Sequence, residues 1–192
     1  AVLSFLRARC RNRDLAEDLT QGFFARFLEY RYHEIADPAR GRFRVFLGTA
    51  LRNFLVNHGD HDHAAKRGGG SVAVEFEEES LHADSRGSPE RTFDLAWALT
   101  VLDRAMVALE AEAAASGKAA LFARLREFLT EVPEAEDYAR AAADLGLRQN
   151  TVAVSVHRLR ERLRDQVRAQ LADTVADPAE VDDELRALRA VL

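Results

Sequence analysis

The stretch from Tyr138 to Arg164, YARAAADLGLRQNTVAVSVHRLRERLR, decides the fold. Tyr138, Ala141, Ala142 and Leu145 recur at helical spacing and form a face of mostly small side chains. Gly146 follows, and glycine enters the left-handed backbone region at no steric cost, so the chain can turn abruptly there. Leu147 is expected to plug the angle. Val152, Val156, Leu159 and Leu163 then mark the apolar side of a second helix. The small alanines let that helix lie close across the first, which is the pattern of a helix-turn-helix. Its other face carries Gln149, Asn150, Ala153, His157, Arg160 and Arg164, with Arg148 and Arg158 beside them. Amides near the start of such a helix can read base edges, and arginines farther along can hold phosphates. A plain helical hairpin with a solvated arginine face shares the apolar spacing, so the polar residues carry the nucleic-acid reading.

Helical periodicity continues on both sides. Upstream, Leu95, Leu99, Leu102, Met106 and Leu109 form a stripe broadened by Trp97, Val101 and Ala105, and Leu121, Phe122, Leu125, Phe128 and Leu129 mark a further helix. Downstream, Pro178 opens a short amphipathic segment with Val181, Leu185, Leu188 and Leu192. A lone helix this short is marginal in water, so it is expected to pack on the second domain. Near the start, Leu15, Leu19, Phe23 and Phe27 recur at four-residue steps, with Phe24 and Leu28 widening the stripe, and Asn12 or Asp14 is placed to cap it. Asp37-Pro38-Ala39-Arg40-Gly41 breaks the period, and Phe43, Phe46, Leu47, Ala50, Leu51, Phe54 and Leu55 resume it. Residues 71–89 are acidic with little helical period; Val72, Val74 and Phe76 allow a short extended piece. The expected architecture is all-α: a helical domain over 1–66, a flexible acidic linker over 67–92, and a second helical domain over 93–192.

The chain has 192 residues and a net charge of −5, but the charge is blocked. Residues 1–70 hold twelve Lys and Arg against eight Asp and Glu, and residues 148–170 hold six against two. Two basic blocks between acidic ones suit two polyanion contacts. No stretch approaches the roughly 18 apolar residues of a membrane helix, and no secretory h-region opens the chain. The single cysteine, Cys10, excludes an intramolecular disulfide framework. Together these predict a cytoplasmic protein.

In the first basic block Arg40, Arg42, Arg44 and Arg52 surround Phe43 and Phe46, and Asn53, Asn57 and His58 share the helix. Basic residues interleaved with aromatics suit single-stranded or melted nucleic acid, where bases stack or are held flipped out. Most of these phenylalanines have core spacing, so the Arg and Asn residues carry that hypothesis. His58-Gly59-Asp60-His61-Asp62-His63 has ligands for Zn²⁺ or Ni²⁺, but the adjoining glycines fix none of them. We expect no cofactor, no bound metal and no catalytic constellation. Gly68-Gly69-Gly70 lacks the spacing of a phosphate-cradling loop.

At this point the residues resemble a family. Asp14 to Phe24, DLAEDLTQGFF, is similar to the acidic D-A-E-D-x-x-Q-E-x-F segment of bacterial RNA polymerase sigma factors of the extracytoplasmic-function type. Phe43 to Leu47, with Arg52 and Asn53, resembles their F-R-x-W-L-x-x-x-A-R-N segment, which opens and reads the −10 element. Tyr138 to Arg164 resembles the helix-turn-helix with which they read −35. The three motifs stand in the family's order around an acidic linker, over nearly the whole chain.

The resemblance implies a non-enzymatic factor that binds core RNA polymerase and directs it to promoter DNA. By matching position, Glu17, Asp18 and Gln21 would dock on the polymerase. Arg52 and Asn53, with Arg42, Arg44 and Asn57 near them, would face −10. Arg148, Gln149, Asn150, Thr151, His157 and Arg158 would face −35. There are departures. Gly22 stands where the family has Glu, Phe46 where it has Trp, and Ala153 where it commonly has Lys. With an acid lost at Gly22, Thr20 becomes a candidate phosphorylation position, since phosphate adds about −1.5 to −2 charge at pH 7. A Ser/Thr kinase or an anti-sigma factor is then a further expected partner. The alternative is a stand-alone helix-turn-helix regulator that binds duplex DNA by itself. A metal-dependent helical enzyme using the histidine cluster is a third reading.

Overall fold

The computed structural model describes residues 1–10, 12–32, 42–66, 88–175 and 177–192, and the side chains of 59–66 lie outside the description. Every regular element among the described residues is helical: α1 (Val2–Arg9), α2 (Arg13–Glu29), α3 (Phe43–Lys66), α4 (Pro89–Ala115), α5 (Ala119–Leu125), a 3-10 turn (Arg126–Leu129), α6 (Ala135–Leu145), α7 (Gln149–Ala172), a second 3-10 turn (Pro178–Glu180) and α8 (Val181–Arg189). The 37–41 breaker with Arg40, the extended piece near Val74 and the side chains of His61 and His63 all fall outside the described residues. So does the expected linker up to residue 87. Residues 89–92, assigned to that linker, open α4 instead. Ser88 accepts the N–H of Arg91 at 3.1 Å and Pro89 takes the first helical position, where its missing N–H costs nothing.

The described residues divide into two units, one formed by 1–100 with 174–192 and the other by 101–173. The first builds its core from Phe5 and Leu6 of α1, Leu19, Phe23 and Phe27 of α2, Leu47, Leu51 and Leu55 of α3, and Phe93 of α4. Asn12 caps α2 by accepting the Asp14 N–H at 2.9 Å. Phe24 and Leu28 are not core: they are 42% and 61% exposed. The helix curves its buried stripe through Ala16, Leu19, Phe23 and Phe27, which leaves those two on the outer side.

The C-terminal segment groups with residues 1–100, where its apolar spacing had suggested the second domain. The physical reason is which residues it buries: Val181, Glu184 and Leu188 face in, while Leu192 is exposed. Glu184 lies at a core position because two arginines of the first unit receive it.

In the unit 101–173, Ala105, Met106, Leu109, Ala113, Phe122 and Leu163 make one cluster, and Leu125, Phe128, Ala141, Ala142, Val152 and Val156 make another. The expected α4 stripe holds at Val101, Ala105, Met106 and Leu109, which are buried, but not at its start, where Leu95 and Leu99 are exposed and Phe93 and Ala98 are buried instead. Helix α6 starts where the Asp137 carboxylate accepts the Glu134 N–H at 2.9 Å. It ends at Gly146, with φ 63° and ψ 30°, after which the Leu147 N–H reaches back to the Ala142 carbonyl. Leu147 itself is 39% exposed and does not plug the angle. The fully buried Ala141 and Val152 sit in the contact between α6 and α7. No described helix is long and apolar enough to cross a membrane.

Candidate nucleic-acid interface

Three groups of candidate residues have distinct surroundings. On α2, Glu17, Gln21, Phe24 and Leu28 lie at i, i+4, i+7 and i+11, so they share one side of the helix, flanked by Asp14 and Asp18. Glu17 is the engaged member. Its carboxylate accepts Arg7 at 2.9 Å and Arg13 at 3.1 Å, and these bonds hold it below its ordinary pKa. Asp18 and Gln21 are exposed and make no side-chain hydrogen bond among the described residues. The result is a face on which Glu17 is paired, Asp18 and Gln21 are exposed, and two apolar side chains stand exposed beside them. Sequence periodicity had spent Phe24 and Leu28 on the core and so missed them.

Thr20 sits beside this face rather than on it. It is half-buried, and its hydroxyl donates to the Ala16 carbonyl at 2.7 Å. A Cβ added at Gly22 would meet the Phe54 ring at 3.6 Å, an ordinary contact, so the position has room for a larger residue.

Between α2 and α3 lies an open pocket of about 160 Å³ lined by Phe23, Phe27, Phe46 and Phe54, with Tyr32 beyond the end of α2. Arg26, Thr49, Asn53 and Asn57 also line it. A space of roughly 150 Å³ lined by apolar side chains admits benzene, so one planar ring fits the volume. The rings around it meet edge to face, with centroids 5.6 Å apart for Phe23 and Phe54 and 6.3 Å apart for Phe27 and Phe46. Asn53 and Asn57 are one turn apart on α3, are exposed, and both line the pocket. Its volume matches one aromatic ring, and the amides and hydroxyl in its lining supply donors and acceptors.

The arginines on α3 divide. Arg52 is exposed and, among the described residues, donates to the Thr49 hydroxyl at 3.3 Å. Arg42 and Arg44 are already occupied. Arg44 Nε is 2.6 Å from Glu184 Oε1, Arg44 also bonds Asp94, and Arg42 is 3.1 Å from Glu184 Oε2. Burial opposes the charge on Arg44, but the bond to Glu184 and the two carboxylates more than offset it and raise its pKa.

Arg148, the residue before α7, and Asn150, Thr151, His157 and Arg158 on it are exposed. His157 approaches Glu161 at 3.4 Å on the same face. Gln149 is exposed too, but its amide donates to the Ala135 carbonyl at 3.0 Å, tying the start of α7 to the start of α6. Val154, 41% exposed, lies between Asn150 and His157 and was not anticipated. An exposed methyl pair there suits the thymine methyl in a major groove. Arg160 is not available for phosphate. Its guanidinium donates to the Phe128 carbonyl at 3.0 and 2.7 Å and to the Glu131 carbonyl at 2.9 Å. It satisfies carbonyls left open where the 3-10 turn ends.

No group of described residues could hold a metal ion. Compared with known proteins, the chain matches no family model, no curated protein and no solved structure.

Proposed function

We propose that this chain is a sigma-type initiation factor that recruits core RNA polymerase to promoter DNA. The observation that carries the reading is the aromatic pocket between α2 and α3, with Asn53 and Asn57 in its lining. An enzyme that must open DNA gains from capturing one unstacked base, because the capture offsets part of the unstacking cost. In this reading α3 takes a base of the −10 element. The side of α2 bearing Asp18, Gln21, Phe24 and Leu28 docks on core polymerase. Helices α6 and α7 form a helix-turn-helix whose α7 enters the −35 major groove with Asn150, Thr151, Val154, His157 and Arg158. The factor works in the cytoplasm and carries no chemistry of its own.

Control by phosphorylation at Thr20 belongs to the same reading. The Thr20 hydroxyl must leave its bond to the Ala16 carbonyl, by rotation about χ1, before it can be phosphorylated. Gly22 weakens α2 by about 1 kcal/mol relative to Ala. A Thr20→Glu variant binding core polymerase no better than the parent would remove this part and leave the rest standing.

The test of the pocket uses the full chain with core polymerase and a fluorescent single-stranded oligonucleotide carrying the −10 sequence. Asn53→Ala is expected to weaken binding of the preferred oligonucleotide about tenfold and to flatten the preference among bases. Unchanged preference would overturn the base-capture role.

A further inference from the structure

Two of the arginines assigned to −10, Arg42 and Arg44, pair with the protein's own C-terminal segment, and Arg44 also bonds Asp94 of α4. Glu184 of α8 is 1% exposed, and both its oxygens are taken. Oε1 accepts Arg44 Nε at 2.6 Å, while Oε2 accepts Arg44 at 3.3 Å and Arg42 at 3.1 Å. Asp183 adds a second carboxylate 3.6 Å from Arg42. The Thr174 carbonyl takes the backbone N–H of Phe43, the first residue of α3, at 2.9 Å. Carboxylate oxygens and a carbonyl thus occupy the donors at the start of α3. The guanidinium fork matches phosphate as well as it matches carboxylate.

We propose that the segment 177–192 is a releasable plug in which Glu184 and Asp183 stand in for phosphates of a single-stranded nucleic acid and cover Arg42 and Arg44 until one displaces them. The proposal rests on the reading of α3 as a nucleic-acid face. The hold suits release. Only Val181 and Leu188 of α8 are buried apolar residues, and a nine-residue helix is marginal by itself. Charge pairing rather than apolar area therefore seats it, and a buried ion pair gives little net stabilisation over an apolar contact. The segment is also acidic: residues 177–192 hold five Asp and Glu against two Arg. A polyanion competes with it directly.

The test is binding of fluorescein-labelled oligothymidylate by the full-length protein across a salt series. The variants are Glu184→Gln, which removes the charge and keeps the shape, and Leu188→Ala, which keeps every charge and loosens the helix. Both are expected to bind about tenfold more tightly than the parent. Their log–log salt dependence should be steeper by about 0.7, the value for one freed cation on a single strand, because Asp94 still pairs Arg44 when Arg42 is uncovered. A melting curve shows whether Glu184→Gln is folded, and Leu188→Ala decides if it is not. Parent-like binding by the folded variants, or weaker binding, overturns the plug while leaving the nucleic-acid reading intact. Absence of binding in the parent and both variants overturns that reading and the plug with it.

Discussion

Arg160 lies on the nucleic-acid side of α7 by sequence, yet its bonds assign it to the fold, and Arg160→Lys separates the two roles. Lysine keeps the charge that would attract a phosphate but cannot form the fork that reaches Phe128 and Glu131 together. Three bonds of 2.7 to 3.0 Å would be lost or weakened. Bonds from a charged donor contribute about 1.5–3 kcal/mol each when both partners are buried. Arg160 is only half-buried and water can replace part of the loss, so we expect a net cost of about 2 kcal/mol. In a unit the size of 101–173, each kcal/mol moves the midpoint by about 4–8 °C, so thermal melting by circular dichroism should drop by about 10 °C. Duplex DNA affinity and its salt dependence, measured well below the melt, should match the parent. An unchanged midpoint would refute the reasoning. It would do so most clearly if Arg160→Ala, at the same midpoint, lowered the salt slope by about one, because Arg160 would then be a phosphate contact.

Other expectations follow from the same geometry. Gly146→Ala should cost about 1–2 kcal/mol in urea denaturation, because φ is 63° and the added Cβ meets nothing within 4 Å, so the loss is purely conformational. Asn150→Ala should lose about 1–3 kcal/mol on the preferred −35 duplex and little on others, read by competition binding. Asp137 is held below its ordinary 3.8 by the Glu134 N–H and then by Arg140, and Glu17 below its ordinary 4.5 by Arg7 and then Arg13. A folded value below the unfolded one gives stability that is complete above the ordinary values and lost as pH falls through the folded ones. The urea midpoint should therefore be insensitive to these groups above about pH 5 and fall below about pH 4, and Asp137→Asn should remove part of the fall.

Local signals gave the helices at 138–164, the Asn12 cap and the Gly146 turn, because each depends on residues within one or two turns of each other. The Ser88-Pro89-Glu90 start of α4 was equally local, but the acidic composition around it masked the signal. What periodicity could not show is where an amphipathic stripe stops. Phe24 and Leu28 continue the α2 pattern yet face outward, because the core available to that helix ends at Phe23 and Phe27. Glu184 is the sharpest case: a carboxylate at a core position, made tolerable by Arg44, 140 residues away. Arg160 likewise reads by sequence as a phosphate contact and Gln149 as a base contact, yet the carbonyls of Phe128 and Glu131 take Arg160 and that of Ala135 takes a Gln149 amide hydrogen. Apolar spacing predicts which side is buried, but the partners of polar groups are set by tertiary neighbours.

The most direct measurement is run-off transcription from a promoter library with core RNA polymerase, with and without this protein. The account predicts transcripts from a defined subset of promoters only when the protein is present, and their loss with Leu28→Asp on the docking side of α2. Promoter choice by polymerase that is identical with and without the protein, together with tight duplex binding by the protein alone, would contradict it and favour a stand-alone regulator.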